Sequence, residues 1–564
     1  VAGTLGVAIW LIVNPRTPDL AGQVYRANLF REVGFAVWDG RWYAGHQIPG
    51  YSLLFPPLAA LVGVRAVGAL AVLASAILFE RVATAVYGQG ARWGAVWFAL
   101  AALGDVWSGR VTFALGVSFA LAAVLALLRD GERAGGVRPP AGARPAGGVR
   151  VRRWALLAGA LAAICAACSP AAGALRGLAG LTYSLATRTP RGLLVLGVPP
   201  AVVVLGLAGL FPEGGWEPYP LLPFLATATA VVGFLLVVPP EQRLLRVGAG
   251  LYLAVCVGCV AVHTPLGGNI ERYGVLLAGP LLLCALLARG GPPPDGVRSA
   301  PGERDRQAVR RAPPALARGA RGWAAVAVFC GIALWTAWGP VRETQAVAGD
   351  ASTSASYYAP VERFVAAHGG ALVRIEVPFT RGHWEAAWLA QRVSLARGWD
   401  KQLDERYDGV LLSRGLTAAR YYRWLCAQAV SYVALPDAPL DPSSAREGRL
   451  IRAGLPYLRE VLRTRHWRIY AVLNPVPLAQ GPGALSAMGH DWFALRARAS
   501  GRFVVRVHYT RYWTVTRGAA CVSRAPGGWT AVAVRAPGAV RVAARFSLGR
   551  ALGLAAGSCR AGRA

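Results

Sequence analysis

Long apolar runs dominate residues 1–341 of this chain, and they constrain its fold more than any other feature. A bilayer core needs about 20 mainly apolar residues per helical span. Approximate spans fall at 1–13, 66–86, 93–108, 111–128, 154–169, 171–187, 193–211, 221–238, 244–262, 274–288 and 323–341. The pair within 154–187 also reads as one helix plus a re-entrant piece. Val1–Val13 has no basic residues ahead of it and no small-residue cleavage motif, so it reads as the end of a first span and not as a cleaved signal peptide. Only 16% of the chain is charged, against about a quarter in soluble domains, and the deficit lies in this first part.

Arginine sets the orientation. The links 129–153 and 289–322 are rich in Arg, Pro, Gly and Ala, which predicts flexible cytoplasmic segments by the positive-inside rule. Arg81/Arg92, Arg188/Arg191 and Arg243/Arg246 fall on the same side when about eleven spans alternate. The opposite side then receives 14–65, the turn at 109–110, 212–220, 263–273 and everything after 341. The net charge of +32 is nearly all Arg, Lys401 being the only lysine, and with 68 Gly it reads as a coding bias. No zinc-finger spacing or aromatic RNA-binding signature accompanies it, so nucleic acid is excluded as a partner.

Residues 342–480 mix strand patterns (Val373–Val377, Ser431–Leu435) with helical ones (Ala418–Gln428, Ser443–Thr464), an α/β region. Residues 481–564 are strand-rich (Phe503–Tyr509, Thr530–Val534, Val540–Phe546) and predict a β-sandwich. The fold class is thus a polytopic α-helical membrane protein, 1–341, with a C-terminal extracytoplasmic α/β domain and a β-sandwich-like module. Cys165/Cys168 and Cys256/Cys259 lie in apolar runs and read as small buried helix residues. Cys521 and Cys559 are placed to be either a disulfide or free thiols.

Acids are scarce in the membrane half, so their positions are informative. Asp19 follows the first run, with Gln23, Arg26, Arg31, Glu32, Asp39 and Arg41 behind it. Leu29–Trp38 has helical spacing suited to an interfacial amphipathic helix, and Trp38, Trp42, Tyr43 and Tyr51 suit the headgroup level. Asp105, Arg110, His263, Glu271 and Arg272 sit at helix ends on the same side as Asp19. His383-Trp384-Glu385 and Leu395–Asp400 combine aromatic and acidic groups suited to sugar stacking. Each has a plainer reading: a helix cap for Asp19, local ion pairs for Asp105/Arg110 and Glu271/Arg272, a solvated loop residue for His263, and a buried core for His383–Glu385.

The order of a first helix, an early-loop Asp, an interfacial helix, Trp42-Tyr43-Ala44-Gly45, Gly50-Tyr51-Ser52 and Pro56-Pro57 resembles the GT-C superfamily of integral-membrane glycosyltransferases. Trp107-Ser108-Gly109-Arg110-Val111-Thr112-Phe113-Ala114-Leu115-Gly116 resembles a Gly-Arg-x-x-Phe-x-x-Gly element of bacterial members with extracytoplasmic C-terminal domains. The resemblance implies a multi-pass protein of the bacterial cell membrane that moves a sugar from a polyprenyl-phosphate donor to a glycan or glycolipid acceptor. It implies Asp19 as catalytic base, since a sugar hydroxyl must lose its proton during attack. Arg110 and Arg272 then suit the departing phosphate, with Gln23, Asp105, His263 and Glu271 in support. A divalent cation, Mg or Mn, held by Asp19, Asp105 or Glu271 would share that task. His383, Trp384 and Glu385 are the acceptor-binding candidates. The early loop departs from the family in lacking a second acid beside Asp19. Two other readings stay open: a transporter of the cell membrane, for which Arg176 is the main mid-span charge, and a non-catalytic membrane-anchored glycan-binding or assembly protein.

Overall fold

The structure, a computed structural model, describes residues 1–135, 153–288, 320–553 and 559. Most of the two Arg-rich links, 136–152 and 289–319, therefore lies outside the described residues, and so does the expectation that they are flexible.

Every apolar run forms a helix. In chain order these are α1 (Ala2–Val13), α4 (Val64–Tyr87), α5 (Arg92–Trp107), α6 (Val111–Gly135), α7 (Arg153–Cys168), α8 (Pro170–Thr187), α9 (Val198–Leu210, entered through a π-helical turn), α10 (Leu221–Val237), α11 (Arg243–Ala261), α12 (Glu271–Leu287) and α13 (Ala320–Val347). Two helices of the first loop, α2 (Pro18–Val33) and α3 (Phe55–Val62), complete the set. Six segments are long and apolar enough to cross a membrane: Val64–Tyr87, Val111–Asp130, Leu193–Leu210, Arg243–Ala261, Gly267–Leu287 and Trp323–Val347. Leu70, Val202, Leu205, Val257 and Leu334 are exposed on these helices, a surface suited to lipid tails and not to water. The segment 154–187 is two helices meeting at Ser169, whose side chain accepts from the Ala172 N–H.

Close crossings depend on small residues. A Cβ on Gly94 would lie 2.2 Å from Cys284 Sγ, and one on Gly104 would lie 3.0 Å from the Pro340 ring, so α5 can lie tightly against both α12 and α13. The cysteines of both C-x-x-C pairs are buried and free.

The first loop differs from its expected form. Its helix starts at Pro18 and stops at Gly34 (φ 68°), so Trp38 is not helical. It pairs instead in a two-residue ladder, β1 (Trp38–Asp39) with β2 (His46–Gln47). Trp38, Trp42 and Tyr43 do not face outward as interfacial side chains would: all three are buried in the protein. The physical reason is that the C-terminal region covers them. Trp42 Nε1 donates to the Ala386 carbonyl (3.0 Å), Tyr43 OH donates to Asp404 Oδ1 (2.9 Å), and the Leu395 N–H donates to the Arg41 carbonyl (2.8 Å).

Beyond α13, a five-stranded mixed sheet runs in the order β4 (Ser394–Leu395), β3 (Arg374–Glu376), β5 (Tyr432–Pro436), β7 (Trp467–Val472), β6 (Leu458–Arg463). β3 is parallel to both of its neighbours, and the β5–β7–β6 side is antiparallel. The helix expected over Ser443–Thr464 is only Ala445–Arg452. Gly454, at φ 87°, and Pro456 end it, and the residues after them form β6. Two four-stranded antiparallel sheets between Ala479 and Ala544 face each other as a sandwich. Cys521 and Cys559 are disulfide-bonded. The sandwich core includes Leu207 and Phe211 at the end of α9, and Tyr512 OH donates to the Leu210 carbonyl, so the sandwich sits on the helix bundle.

Candidate functional site

Local chemistry explains why Asp19 is where it is. Thr17 ends the link after α1 and donates through Oγ1 to the Trp107 carbonyl (2.8 Å). Pro18 occupies the first helical position of α2, where its fixed φ and missing N–H cost nothing. Asp19 follows in the first turn, the place where a carboxylate is stabilised by the helix dipole. The α5–α6 turn packs directly beneath it: Gly109, at φ 80°, lies so close that a Cβ would stand 2.3 Å from the Leu20 nitrogen. Only glycine combines that backbone conformation with that approach.

The same turn aims Arg110 at Asp19. Arg110 Nε lies 3.5 Å from Asp19 Oδ2 and its Nη2 lies 3.0 Å from Glu343 Oε1 on α13. Arg272, in the first turn of α12, brings Nη2 to 3.7 Å from the same Asp19 oxygen and lies over the Phe113 ring. Arginines from two separate elements thus converge on one carboxylate, and Glu343 on α13 holds one of them from behind. Asp105 is buried a turn before Arg110, its Oδ2 without a hydrogen bond, within electrostatic reach of Arg110 and Arg272.

On the other flank of Asp19, one helical turn on, Gln23 is buried and donates to Tyr51 OH (2.7 Å). Arg26, a further turn along the same face, lies 3.6 Å from the Tyr51 ring centroid and pairs with Asp400 at 3.3 Å. Trp399 packs against Gly22, half-exposed, with His383 stacked on it at 3.5 Å. Glu217 lies in electrostatic reach of Arg272, Asp400, Lys401 and Asp19, and burial pushes its carboxyl up to about 7 against the pull of Arg272. Burial likewise raises Asp400, although Arg26 opposes it.

The other candidates have different surroundings. Glu271 turns towards α13 and accepts from Trp335 Nε1 (2.8 Å). His263 is exposed and stacks on Trp216. Trp384 and Glu385 are buried: Trp384 Nε1 donates to the Arg16 carbonyl (2.9 Å), and Glu385 accepts from the Thr380 N–H and hydroxyl. Neither offers an open face, so Trp399 is the ring that borders the Asp19 region. Nor do the candidate metal ligands assemble. Among the described residues no group of three or more His, Cys, Asp or Glu is placed to hold a metal ion. The groups paired directly with Asp19 are Arg110 and Arg272, which suit an anion.

Sequence reading named Arg26, Trp399 and Asp400 without joining them, and it missed Glu343 and Glu217 altogether. The acids absent from the early loop are supplied from 200 to 400 residues downstream, and only the tertiary fold brings them there.

A groove of about 780 Å³ runs between α5 and α13, walled by Trp97, Leu100, Leu103, Ala337 and Pro340. Its lining includes Trp93 near one end of α5, and Trp107 and Thr344 at the other. The Trp107 carbonyl accepts from Thr17, two residues before Asp19, and Thr344 follows Glu343, so this end of the groove lies near the Asp19 cluster, whose own residues do not line it.

No family model and no curated protein matches the chain. Among solved structures it is similar to the arabinofuranosyltransferase AftD from Mycobacteria: 16% identity, TM-score 0.47, over 97% of this chain and 57% of that one. A second AftD structure, of an arginine-to-serine mutant, gives 15% identity and TM-score 0.47 over 96% of this chain and 60% of that one. The chain therefore spans less than two thirds of the length of those proteins.

Proposed function

We propose that this chain is a membrane glycosyltransferase that moves a sugar from a polyprenyl-phosphate donor to an extracytoplasmic glycan or lipid acceptor. One observation carries the reading: a carboxylate held by two arginines lies two residues from Thr17, which bonds the carbonyl of Trp107 at one end of an apolar groove between two helices. The groove suits a polyprenyl tail and the arginines suit its phosphate. In the resting state Asp19 occupies both guanidinium groups. An arriving phosphate diester competes for them, and as it takes them it frees the carboxylate to accept the proton of the attacking acceptor hydroxyl. Trp399, with Asp400 beside it, offers a ring and a carboxylate for the acceptor sugar on the other side of α2. The test is transfer of labelled sugar from a panel of polyprenyl-phosphate donors by the protein in proteoliposomes. Absence of transfer with every donor and acceptor overturns the reading.

Two expected results belong to this geometry. Ala337→Trp narrows the groove, and displacing two buried methylenes at about 0.8 kcal/mol each raises the donor KM roughly tenfold. The kcat stays unchanged, because binding lost here is lost equally in ground and transition states. Steady-state kinetics over a donor titration checks the split. Gly109→Ala drives a Cβ into the Leu20 backbone and moves Asp19, for which a displacement of about 1 Å lowers turnover on the order of 100-fold. Gly250→Ala, whose Cβ meets nothing within 4 Å, serves as the control with full turnover.

A further inference from the structure

Arg176 is a buried charge of the helix bundle that the proposed reaction leaves unused. It lies six residues beyond Pro170 in α8, so its Cα is about 9 Å along the helix from the first residue. The start of α8 belongs to the Asp19 face: the loop after Tyr51 rests on it, with Ser52 Oγ donating to the Cys168 carbonyl (2.7 Å) and the Leu53 N–H donating to the Ala167 carbonyl (2.9 Å). Side chains on a helix lean towards its N-terminus, so Arg176 leans up towards that face from within the bundle. The titratable groups within its electrostatic reach are Tyr273, next to Arg272, and Cys165.

Arg176 is buried, with 9% of its surface exposed, and its Nε has no hydrogen-bond partner. Among the described residues its guanidinium makes no ion pair and no hydrogen bond. Arg110 and Arg272 stand in contrast: both are paired with Asp19, and Arg110 with Glu343 as well. An arginine inside an apolar bundle without a counter-charge is costly, and such residues in membrane segments face their partners or ligands. The missing partner must be an anion able to reach the bundle from the Asp19 face, with oxygens for a planar fork.

We propose that Arg176 is the seat of a phosphate ester carried by a membrane lipid and entering from the Asp19 face of the bundle. The assignment rests on the reading above in taking that ester to be the donor's phosphate. Arg110 and Arg272 then receive the phosphate at the surface while Arg176 holds it from within. Because the seat has its own charge uncompensated, it favours the anion without first breaking an internal ion pair.

The experiment measures binding and thermal stability of the full chain in nanodiscs of neutral lipid. The probes are a polyprenyl phosphate, an anionic phospholipid and inorganic phosphate. Wild type is expected to bind polyprenyl phosphate and gain thermal stability from it, with no gain from inorganic phosphate. Arg176→Gln is expected to bind it roughly 10- to 100-fold more weakly, the scale of one charge-assisted contact. Its ligand-free midpoint should be equal to or above that of wild type, because an uncompensated buried charge has been removed. A purely structural arginine would give the opposite, a lowered ligand-free midpoint. Arg176→Lys keeps the charge without the fork and should fall between. Equal binding by wild type and Arg176→Gln overturns the seat and leaves the enzyme reading standing. Arg176-dependent binding of the anionic phospholipid alone supports the seat and overturns the donor. Stabilisation by inorganic phosphate at the same strength overturns the lipid-borne source. Asp19→Asn should retain the binding, which keeps the seat distinct from the catalytic step.

Discussion

Asp19→Asn is expected to lower transfer turnover by roughly 100- to 10,000-fold, the range for losing a general base. Asparagine keeps the size and shape of the side chain, so the packing of the first turn of α2 against Gly109 is preserved. What disappears is the charge that holds Arg110 and Arg272 at 3.5 and 3.7 Å, together with the ability to take a proton. Both half-exposed pairs contribute little to folding, and the thermal midpoint should shift by only a few degrees. The measurement is single-turnover transfer with saturating donor in proteoliposomes, beside a melting curve. Glu343→Gln is the matched comparison. It frees one arm of Arg110 without touching a proton acceptor, and its loss should be tenfold or less, in keeping with a single charge-assisted hydrogen bond. Full retained turnover in Asp19→Asn would sink the assignment of Asp19 as base.

The parts of this molecule that were legible in its sequence are those governed by local physics. An apolar run of spanning length has few alternatives to a helix, and alternating strands such as Gly538–Ala544 carry their period on their face. Asp19, Arg110 and Arg272 could be named because all three lie beside helix ends. Other features were hidden because their cause is distant. Trp42 and Tyr43 look like interfacial aromatics until a domain more than 300 residues away closes over them. The His383–Glu385 cluster looks like an open sugar platform, yet Trp384 and Glu385 are held in the core by Arg16 and Thr380. Gly454-Leu455-Pro456 marks a helix end, whereas Leu458, Val461 and Leu462 after it keep helical spacing, so the strand they form has no local signature. The partners of Asp19 on α13 and in the C-terminal domain have no local signature at all.

Arg397→Leu is expected to destabilise the C-terminal region by about 3–5 kcal/mol, the cost of stripping the partner from a buried ion pair. Arg397 is buried between Glu376 on β3 and Glu447, itself 2.7 Å away, and its guanidinium lies 4.0 Å from the Phe379 ring centroid. Both carboxylates are completely buried, and Tyr421 OH donates to Glu447 (2.8 Å). With Arg397 gone, two carboxylates face each other without water or counter-charge. At roughly 2–4 °C per kcal/mol for a domain of this size, the midpoint should fall by about 6–20 °C. The loss reaches the site through the chain itself, because Trp399 and Asp400 follow two and three residues later and are set against α2 by this anchor. Transfer should therefore fall through acceptor KM at temperatures where the variant is still folded. The decisive comparison is a triple variant, Arg397→Met with Glu376→Leu and Glu447→Leu. An apolar triad of similar volume should recover most of the lost stability, since the desolvation of all three charges is relieved together. Calorimetry separates the cases: if the single variant melts with wild type, the triad is not holding the sheet to the Trp399 segment. If the triple variant melts as low as the single one, shape and not charge is what Arg397 supplies.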